Sequence, residues 1–200
     1  SAVIMPEGFP AHPHRGFETV TYVLPGRAGL THRDSEGCKM RYGDGAAQWM
    51  TAGRGMLHEE MWDVDSEYEE HELYQLWLNL PPAKKLAEPT MQLLHGSGEG
   101  VAEVLREGRM DVRLGPIPRV ELDGGRVVVR QLCGAGVGAE TQSDVRVEHV
   151  TLAPGARYAA DIRDGWTCLL YVRKGRIDCG GGALAETYEL ATMGRRGEDE

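Results

Sequence analysis

Residues 9–24 have the sequence FPAHPHRGFETVTYVL, and this stretch decides the fold. Its second half is rich in Val, Thr and Tyr, which favour an extended strand. His12 and His14 are two residues apart, so in an extended chain both imidazoles lie on one face. If the extension continues through Gly16, Glu18 lies on that face as well.

A second pair with the same spacing is formed by His58 and Glu60. Two antiparallel strands that present the two pairs inside a barrel would place three imidazoles and one carboxylate around a common centre. Such donors suit Fe(II), Mn(II), Ni(II), Cu(II) or Zn(II), and their chemistry does not choose among these ions. Each pair alone can also arise by chance, in which case its histidines are ordinary surface residues. Together the pairs predict a metal site formed by His12, His14, His58 and Glu60.

Short runs of β-branched and aromatic residues alternate with turns along the chain, whose 200 residues include 27 glycines. This pattern is typical of an all-β sandwich or barrel. Apolar residues at 101, 104 and 105 have the spacing of one short amphipathic helix. The strand candidates are residues 17–24, 47–51, 73–80, 126–132, 145–152 and 167–172.

The composition of the chain changes between the two groups of strands. We therefore predict an N-terminal metal-binding domain over residues 1–94, a linker with a short helix over 95–119, and a C-terminal domain without metal over 120–200. Six of the seven histidines precede the end of this linker, and only His149 follows it. A histidine site is therefore expected in the first half.

The charge balance restricts the partners. Lys and Arg number 22 against 31 Asp and Glu, for a net charge of −9. An acidic chain argues against direct binding to nucleic acid or to an anionic membrane, and no apolar run has the length of a membrane span. Small molecules or proteins remain as partners. The acidic run at 63–72 is expected to be a solvated loop, with a negative patch for a basic protein as the alternative. Four scattered cysteines without a CxxC pair favour a reducing compartment, so we expect a cytoplasmic or nuclear location.

Three segments of the N-terminal half closely resemble the pirin family of the cupin superfamily. They are residues 9–24, QWMTAGRGMLHEEM at 48–61 and QLWLNLP at 75–81. Looser similarity continues through IPRVE at 117–121, LAPG at 152–155 and GWT at 165–167.

The resemblance implies an all-β bicupin, in which two jelly-roll β-barrel (cupin) domains face one another. A metal, usually iron, is expected in the N-terminal barrel and none in the C-terminal barrel. Carried over by motif, the metal ligands fall on His12, His14, His58 and Glu60, with Fe(II) as the expected cofactor. Glu18 stands where ordinary cupins take their carboxylate ligand, so it becomes a pocket group or a base.

This sequence departs from the family pattern in three ways. The turn GDGAAQWM at 43–50 is altered or longer, and residues 95–114 resemble an insertion in the linker. The resemblance also implies opening strands before His12 and closing strands after Gly197 that the printed sequence lacks. Both barrels are therefore expected to be incomplete at the termini.

For function, the resemblance implies a metal-dependent dioxygenase of the quercetin 2,3-dioxygenase type that acts on a flavonol. Glu60 or Glu18 would accept the hydroxyl proton of the substrate. Arg15 and Arg54 flank the two ligand pairs and, with Trp49, are candidates for the substrate pocket.

The family also implies a non-enzymatic alternative. In animals pirins are nuclear transcriptional co-regulators whose surface responds to the redox state of iron, and in plants they are signalling partners. In either case the chain would act through contacts with other proteins. Both functions need the same four ligands, so the sequence does not separate them.

Overall fold

The computed structural model describes residues 5–96 and 101–193. The chain divides into two compact units, Ser1–Ala156 and Arg157–Glu200. Within the described residues, regular structure consists of β-strands and two single-turn 3-10 helices, Pro82–Lys84 and Asp123–Gly125. The prediction of an all-β fold is therefore confirmed. None of the helices in this part of the chain is long and apolar enough to cross a membrane.

The strands of the first unit are numbered here in chain order. They are β1 (Gly8–His14), β2 (Phe17–Val23), β3 (Leu30–Asp34), β4 (Lys39–Gly43), β5 (Ala47–Thr51), β6 (Met56–Trp62), β7 (Leu73–Asn79), β8 (Thr90–Gly96), β9 (Val101–Arg106), β10 (Val112–Ile117), β11 (Arg119–Leu122), β12 (Val127–Gly134), β13 (Val137–Gly138) and β14 (Val147–Leu152).

Two five-stranded sheets pack face to face in the first unit. Their strand orders are β1-β6-β3-β4-β9 and β10-β8-β5-β2-β7. The side chains between them form a core rich in methionine, which includes Met40, Met50, Met56 and Met91 together with Tyr42. We call the side of each sheet that faces this core the inner face. Burial of these side chains is the main favourable term that holds the two sheets together.

The sheet that contains β2 and β5 is buried on both faces. Its outer face packs against a four-stranded sheet of β11, β12, β13 and β14, where Val20 and Trp49 meet Leu132 and Cys133. This explains why nearly every residue of β2 and β5 is buried, although only alternate side chains lie on the inner face. The strand predictions over residues 17–24 and 47–51 are confirmed.

The short helix predicted in the linker at 95–119, from the apolar residues at 101, 104 and 105, is wrong. Residues Val101–Arg106 form β9, which pairs with β4 at the edge of one sheet, and Val112–Ile117 form β10, which runs parallel to β8 at the edge of the other. Ala102 and Val104 pack against the core as alternate residues of a strand. A run of six residues was too short to separate the helical period from the strand period.

The second unit contains two separate two-stranded ladders. β15 (Cys168–Tyr171) pairs with β18 (Leu190–Met193), and β16 (Arg176–Asp178) pairs with β17 (Leu184–Glu186). The strand predicted over residues 167–172 is confirmed as β15. Residues 120–156, predicted to open the second domain, lie in the first unit.

Candidate metal centre

Strands β1 and β6 present the predicted ligand pairs. They pair antiparallel with His12 opposite His58 and His14 opposite Met56, so the three imidazoles lie on the inner face. β1 is the edge strand of its sheet. An edge position tolerates Pro10 and Pro13, which cannot donate to a ladder. The carbonyl of Pro10 accepts a hydrogen bond from His12 Nδ1 over 2.8 Å.

The three imidazoles converge on a single point. His12 Nε2 lies 3.1 Å from His14 Nε2 and 3.0 Å from His58 Nε2. Burial, followed by the charge of His12, lowers the pKa of His14 to about 4. Burial, followed by the neighbouring histidines, lowers the pKa of His58 to about 2. Both rings are therefore neutral near pH 7 and offer lone pairs, which is what a metal ion requires of a histidine ligand.

This donor set fits a divalent cation. When the three rings are neutral and protonated at Nδ1, as the Pro10 carbonyl favours for His12, their Nε2 lone pairs face one another at about 3 Å. A divalent cation between them would accept these lone pairs and stabilise the arrangement. His12, His14 and His58 form one group of ligand atoms within 4.8 Å of one another.

Glu60 lies beside this cluster on β6. Its side chain belongs to a second group, with His58 and His32, that obeys the same 4.8 Å limit. Tyr42 Oη and Thr21 Oγ1 donate to Glu60 Oε1 over 2.7 and 3.0 Å. Burial, followed by the charge of Glu60, raises the pKa of Tyr42 well above its usual value, so the phenol stays protonated as a donor.

A chain of hydrogen bonds links Glu60 to an exposed tryptophan. Gln75 Nε2 donates to Glu60 Oε2 over 3.0 Å, and Trp77 Nε1 donates to Gln75 Oε1 over 2.8 Å. The Trp77 ring stacks on Phe17 with centroids 4.9 Å apart and an angle of 27°. Both rings also meet the His14 ring edge to face. We call Phe17 and Trp77 the aromatic wall of the site.

Two polar side chains on the inner face lack protein partners. Thr19 Oγ1 and both amide atoms of Gln48 are buried without a hydrogen bond among the described residues. Register places Thr19 opposite Trp77 and Gln48 opposite Thr21. Buried polar groups normally find partners in protein, water or ligand, so this part of the interior is suited to hold polar atoms that are not part of the protein.

Glu18 does not join the cluster, and the expectation that it shares a face with His12 and His14 is corrected. Gly16 adopts φ +82° between β1 and β2, so the strand does not run on and the alternation of faces restarts. Glu18 lies opposite Thr51 on the outer face and accepts the Thr51 hydroxyl over 2.7 Å. It therefore cannot be the base of a reaction on the inner face.

Trp49 is also on the outer face. It lies opposite Val20, is fully buried, and packs in the outer cluster with Leu132 and Cys133. The prediction that Trp49 lines the substrate pocket is thus corrected. The tryptophan beside the ligands is Trp77, which is 62% exposed.

The two arginines remain outside the cluster. Arg15 is exposed immediately after β1, and Arg54 is exposed in the turn before β6, where it pairs with Glu88. Arg15 directly follows the ligand His14, whereas Arg54 lies four residues before His58. Their role in a pocket stays a prediction.

His32 is not one of the predicted ligands, and the structure places it next to His58. Its Nδ1 lies 3.4 Å from His58 Nδ1, and its Nε2 lies 3.1 Å from Asp34 Oδ2. Asp34 is two residues from His32, the same spacing as in the ligand pairs. That spacing within a β-prone run was the one sequence signal that could have pointed to His32 and Asp34. Nothing in the sequence pointed to Tyr42 or Gln75 as partners of Glu60.

Imidazoles and a carboxylate between two packed sheets are the metal-binding arrangement that the resemblance to cupins implies. The sequence profile of the Pirin family matches residues 1–78. The chain is 38% identical over 175 residues to Pirin-like protein 2 of Arabidopsis thaliana, covering 86% of this chain and 46% of that protein. It is 37% identical over 179 residues to human Pirin, covering 88% and 53%. The chain belongs to the pirin family.

A solved structure has a similar fold. Quercetin 2,3-dioxygenase from Acinetobacter baumannii superimposes with a TM-score of 0.75 at 30% identity, covering 98% of this chain and 63% of that one. The chain spans about half the length of the curated relatives that it matches.

Proposed function

We propose that this chain carries the metal centre of a dioxygenase of the quercetin 2,3-dioxygenase type, with Fe(II) as its metal. The observation that carries the proposal is the convergence of His12, His14 and His58 beside Glu60 and an exposed aromatic wall. Similarity to a quercetin 2,3-dioxygenase supports the same reaction class.

The four predicted ligands His12, His14, His58 and Glu60 would hold the metal. A bound metal would supply Lewis acidity that lowers the pKa of a coordinated hydroxyl, together with redox chemistry toward dioxygen. Imidazole and carboxylate donors are compatible with iron. The protein's own contribution is to fix these donors, and the hydrogen bonds of Glu60 and His12 restrict both side chains before any metal binds.

Glu60 is the group best placed to accept a proton. Oε1 already accepts two hydrogen bonds, from Tyr42 and Thr21, whereas Oε2 accepts one, from Gln75. The one remaining lone pair, on Oε2, would either hold the metal or take the hydroxyl proton of a flavonol, so Glu60 would fill these two roles in turn and not at the same time. In the overall reaction both atoms of O₂ enter the product, the heterocyclic ring opens, and one ring carbon leaves as carbon monoxide.

The aromatic wall suits a flat substrate. Trp77 and Phe17 are nearly parallel, and Trp77 exposes most of its area beside His14. Offset stacking on such a ring adds about 0.5–1.5 kcal/mol beyond simple burial. A flavonol would thus be oriented by stacking while its hydroxyl approaches Glu60.

The test is turnover by the full chain loaded anaerobically with Fe(II) and then mixed with quercetin and O₂. We expect loss of flavonol absorbance with release of carbon monoxide, and neither in the Glu60→Ala protein. Glu18→Ala is the matched control, because it removes a buried carboxylate from the outer face. Stoichiometric bound iron without turnover would overturn the proposal and favour a metal-dependent binding protein.

A further inference from the structure

His32 and Asp34 lie directly behind His58 on the inner face of β3. Strand register places Asp34 opposite His58 and His32 opposite Glu60. The side chains of His32 and Asp34 are both completely buried. The contacts form a line, with Asp34 Oδ2 3.1 Å from His32 Nε2 and His32 Nδ1 3.4 Å from His58 Nδ1.

The directions of these hydrogen bonds follow from the first member of the line. Asp34 Oδ1 accepts the backbone N–H groups of Glu36 and Cys38 over 2.9 and 3.1 Å, which fixes the carboxylate and leaves Oδ2 for His32. A carboxylate only accepts, so His32 donates through Nε2. In a neutral imidazole the other nitrogen, Nδ1, then carries the lone pair.

The same logic determines which nitrogen of His58 faces the cluster. With a neutral His32, His58 would donate its Nδ1–H to the lone pair of His32, which leaves His58 Nε2 unprotonated, 3.0 Å from His12 Nε2. His12 reaches the same state by donating Nδ1–H to the Pro10 carbonyl. His12 and His58 thus both present Nε2 to the cluster. The Pro10 carbonyl holds the other nitrogen of His12, and the buried pair of His32 and Asp34 holds that of His58.

We propose that His32, held by Asp34, is a positioning residue that fixes the tautomer and ring orientation of His58 for metal binding. Groups that hold a ligating histidine through its second nitrogen typically change metal affinity 10- to 100-fold when they are removed. The proposal depends on the metal centre and is independent of the reaction that the centre catalyses.

His32 is also a candidate ligand, because His32, His58 and Glu60 form a second group of donor atoms within 4.8 Å. The two roles exclude one another at His58 Nδ1, which either donates a proton to His32 or offers a lone pair to a second ion. A positioning role gives one metal per chain, and a ligand role adds a second.

Asp34→Asn is the sharpest variant. Asn keeps an Oδ1 acceptor for Glu36 and Cys38 and replaces the atom that faces His32 by an N–H donor. His32 would then have to accept at Nε2 and carry its proton on Nδ1, facing His58. His58 could no longer donate there, and its proton would move to Nε2, where it blocks the metal.

The measurement is titration of the metal-free full chain with Co(II), recording stoichiometry, affinity by chelator competition, and the visible d–d spectrum. We expect one Co(II) per chain in the wild type, a 10- to 100-fold weaker affinity with an altered spectrum in Asp34→Asn, and the same loss in His32→Leu. His32→Gln should restore affinity to within about threefold, since its amide donates to Asp34 and accepts from His58. His149→Gln, on a histidine that bonds Tyr22 on the outer face, is the control.

Wild-type affinity and spectrum in Asp34→Asn would overturn the proposal. So would a second Co(II) that disappears in His32→Gln, because His32 would then be a ligand. If Asp34→Asn does not fold, as judged by near-UV circular dichroism, the comparison of His32→Gln with His32→Leu decides, and equal affinities contradict a positioning role. Flavonol turnover enters none of these outcomes, so failure of the proposed reaction is recognised separately.

Discussion

The two faces of the sheet that contains β2 and β5 each bury a glutamate, and the two glutamates have different surroundings. Glu60 approaches the inner face from β6, where Thr21, Tyr42 and Gln75 donate to it and the imidazoles lie alongside. Glu18 is on the outer face, where only the Thr51 hydroxyl is recorded as its donor and Oε2 has no partner among the described residues.

This difference shows that burial of a carboxylate does not by itself make a site. Glu60 is 1% exposed and Glu18 is 0% exposed, so solvent access does not distinguish them. What distinguishes them is that histidine nitrogen atoms surround Glu60 and not Glu18. The Cys133 thiol lies near Glu18, and burial raises its pKa to about 12, so it stays protonated. Among the described residues, Glu18 belongs to no group of donors that could hold a metal ion.

The largest expected effect is on metal affinity, and it compares a histidine of the inner face with one of the outer face. His58→Ala should weaken binding of Co(II) by at least about 100-fold, because it removes one ligand and leaves His12 and His14 without their common partner. His149→Ala, which removes the partner of Tyr22 on the outer face, should change it by less than about twofold. Chelator competition measures both affinities. Equal losses in the two variants would contradict the assignment of the metal centre to the inner face.

The second effect compares the two glutamates by the same substitution. Glu60→Gln should lower flavonol turnover about 100-fold, since removal of a general base typically costs 10²- to 10⁴-fold. Glu18→Gln should leave the turnover number within about twofold. Steady-state kinetics with Fe(II)-loaded protein checks both values. A large loss in Glu18→Gln with retained fold would reverse the comparison and return Glu18 to the reaction.

The sequence predicted part of the site. Its predictions were correct within single strands, where the alternation of side chains between the two faces holds. Alternation within β1 and within β6 placed His12 with His14 and His58 with Glu60. It failed across Gly16, where a positive φ ends the strand, and Glu18 was assigned to the wrong face. Alternation is a local rule, and a turn resets it.

The residues that the sequence did not reveal are those whose role comes from pairing between distant strands. His32 meets His58 because β3 lies next to β6, and Gln75 reaches Glu60 because β7 lies next to β2. One sequence does not specify these neighbours. The short strands of residues 101–117 were missed for a related reason, since their partners β4 and β8 determine their conformation.

The third effect is on the pH dependence of stability in the metal-free protein. In the folded state the pKa of His14 is lowered to about 4 and that of His58 to about 2, against about 6.5 in an unfolded chain. Below pH 6.5 the unfolded chain binds protons that the folded chain does not, so stability falls as the pH is lowered from 6.5 toward 4. Each such proton contributes a slope of up to about 1.4 kcal/mol per pH unit.

Urea unfolding of the metal-free protein between pH 7.5 and 4.5 measures this slope. The His58→Gln protein should lose stability less steeply, with a slope lower by up to one proton. The wild type and this variant carry the same carboxylates, so the difference between their curves isolates the contribution of His58. Parallel curves for the wild type and His58→Gln would contradict burial of a neutral His58 in the folded state.

The smallest effect tests the aromatic wall, which the outer face lacks because Trp49 is completely covered there. Trp77→Leu should raise KM for quercetin about threefold to tenfold, since stacking on an aromatic ring is worth about 0.5–1.5 kcal/mol. Trp77→Phe keeps a ring but loses the N–H that donates to Gln75, and its KM should stay within about twofold of the wild type. Trp166→Leu, in the second unit, controls for the general effect of losing a tryptophan. If Trp77→Phe and Trp77→Leu raise KM equally, the contribution of Trp77 comes from its hydrogen bond to Gln75, and stacking on the substrate is excluded.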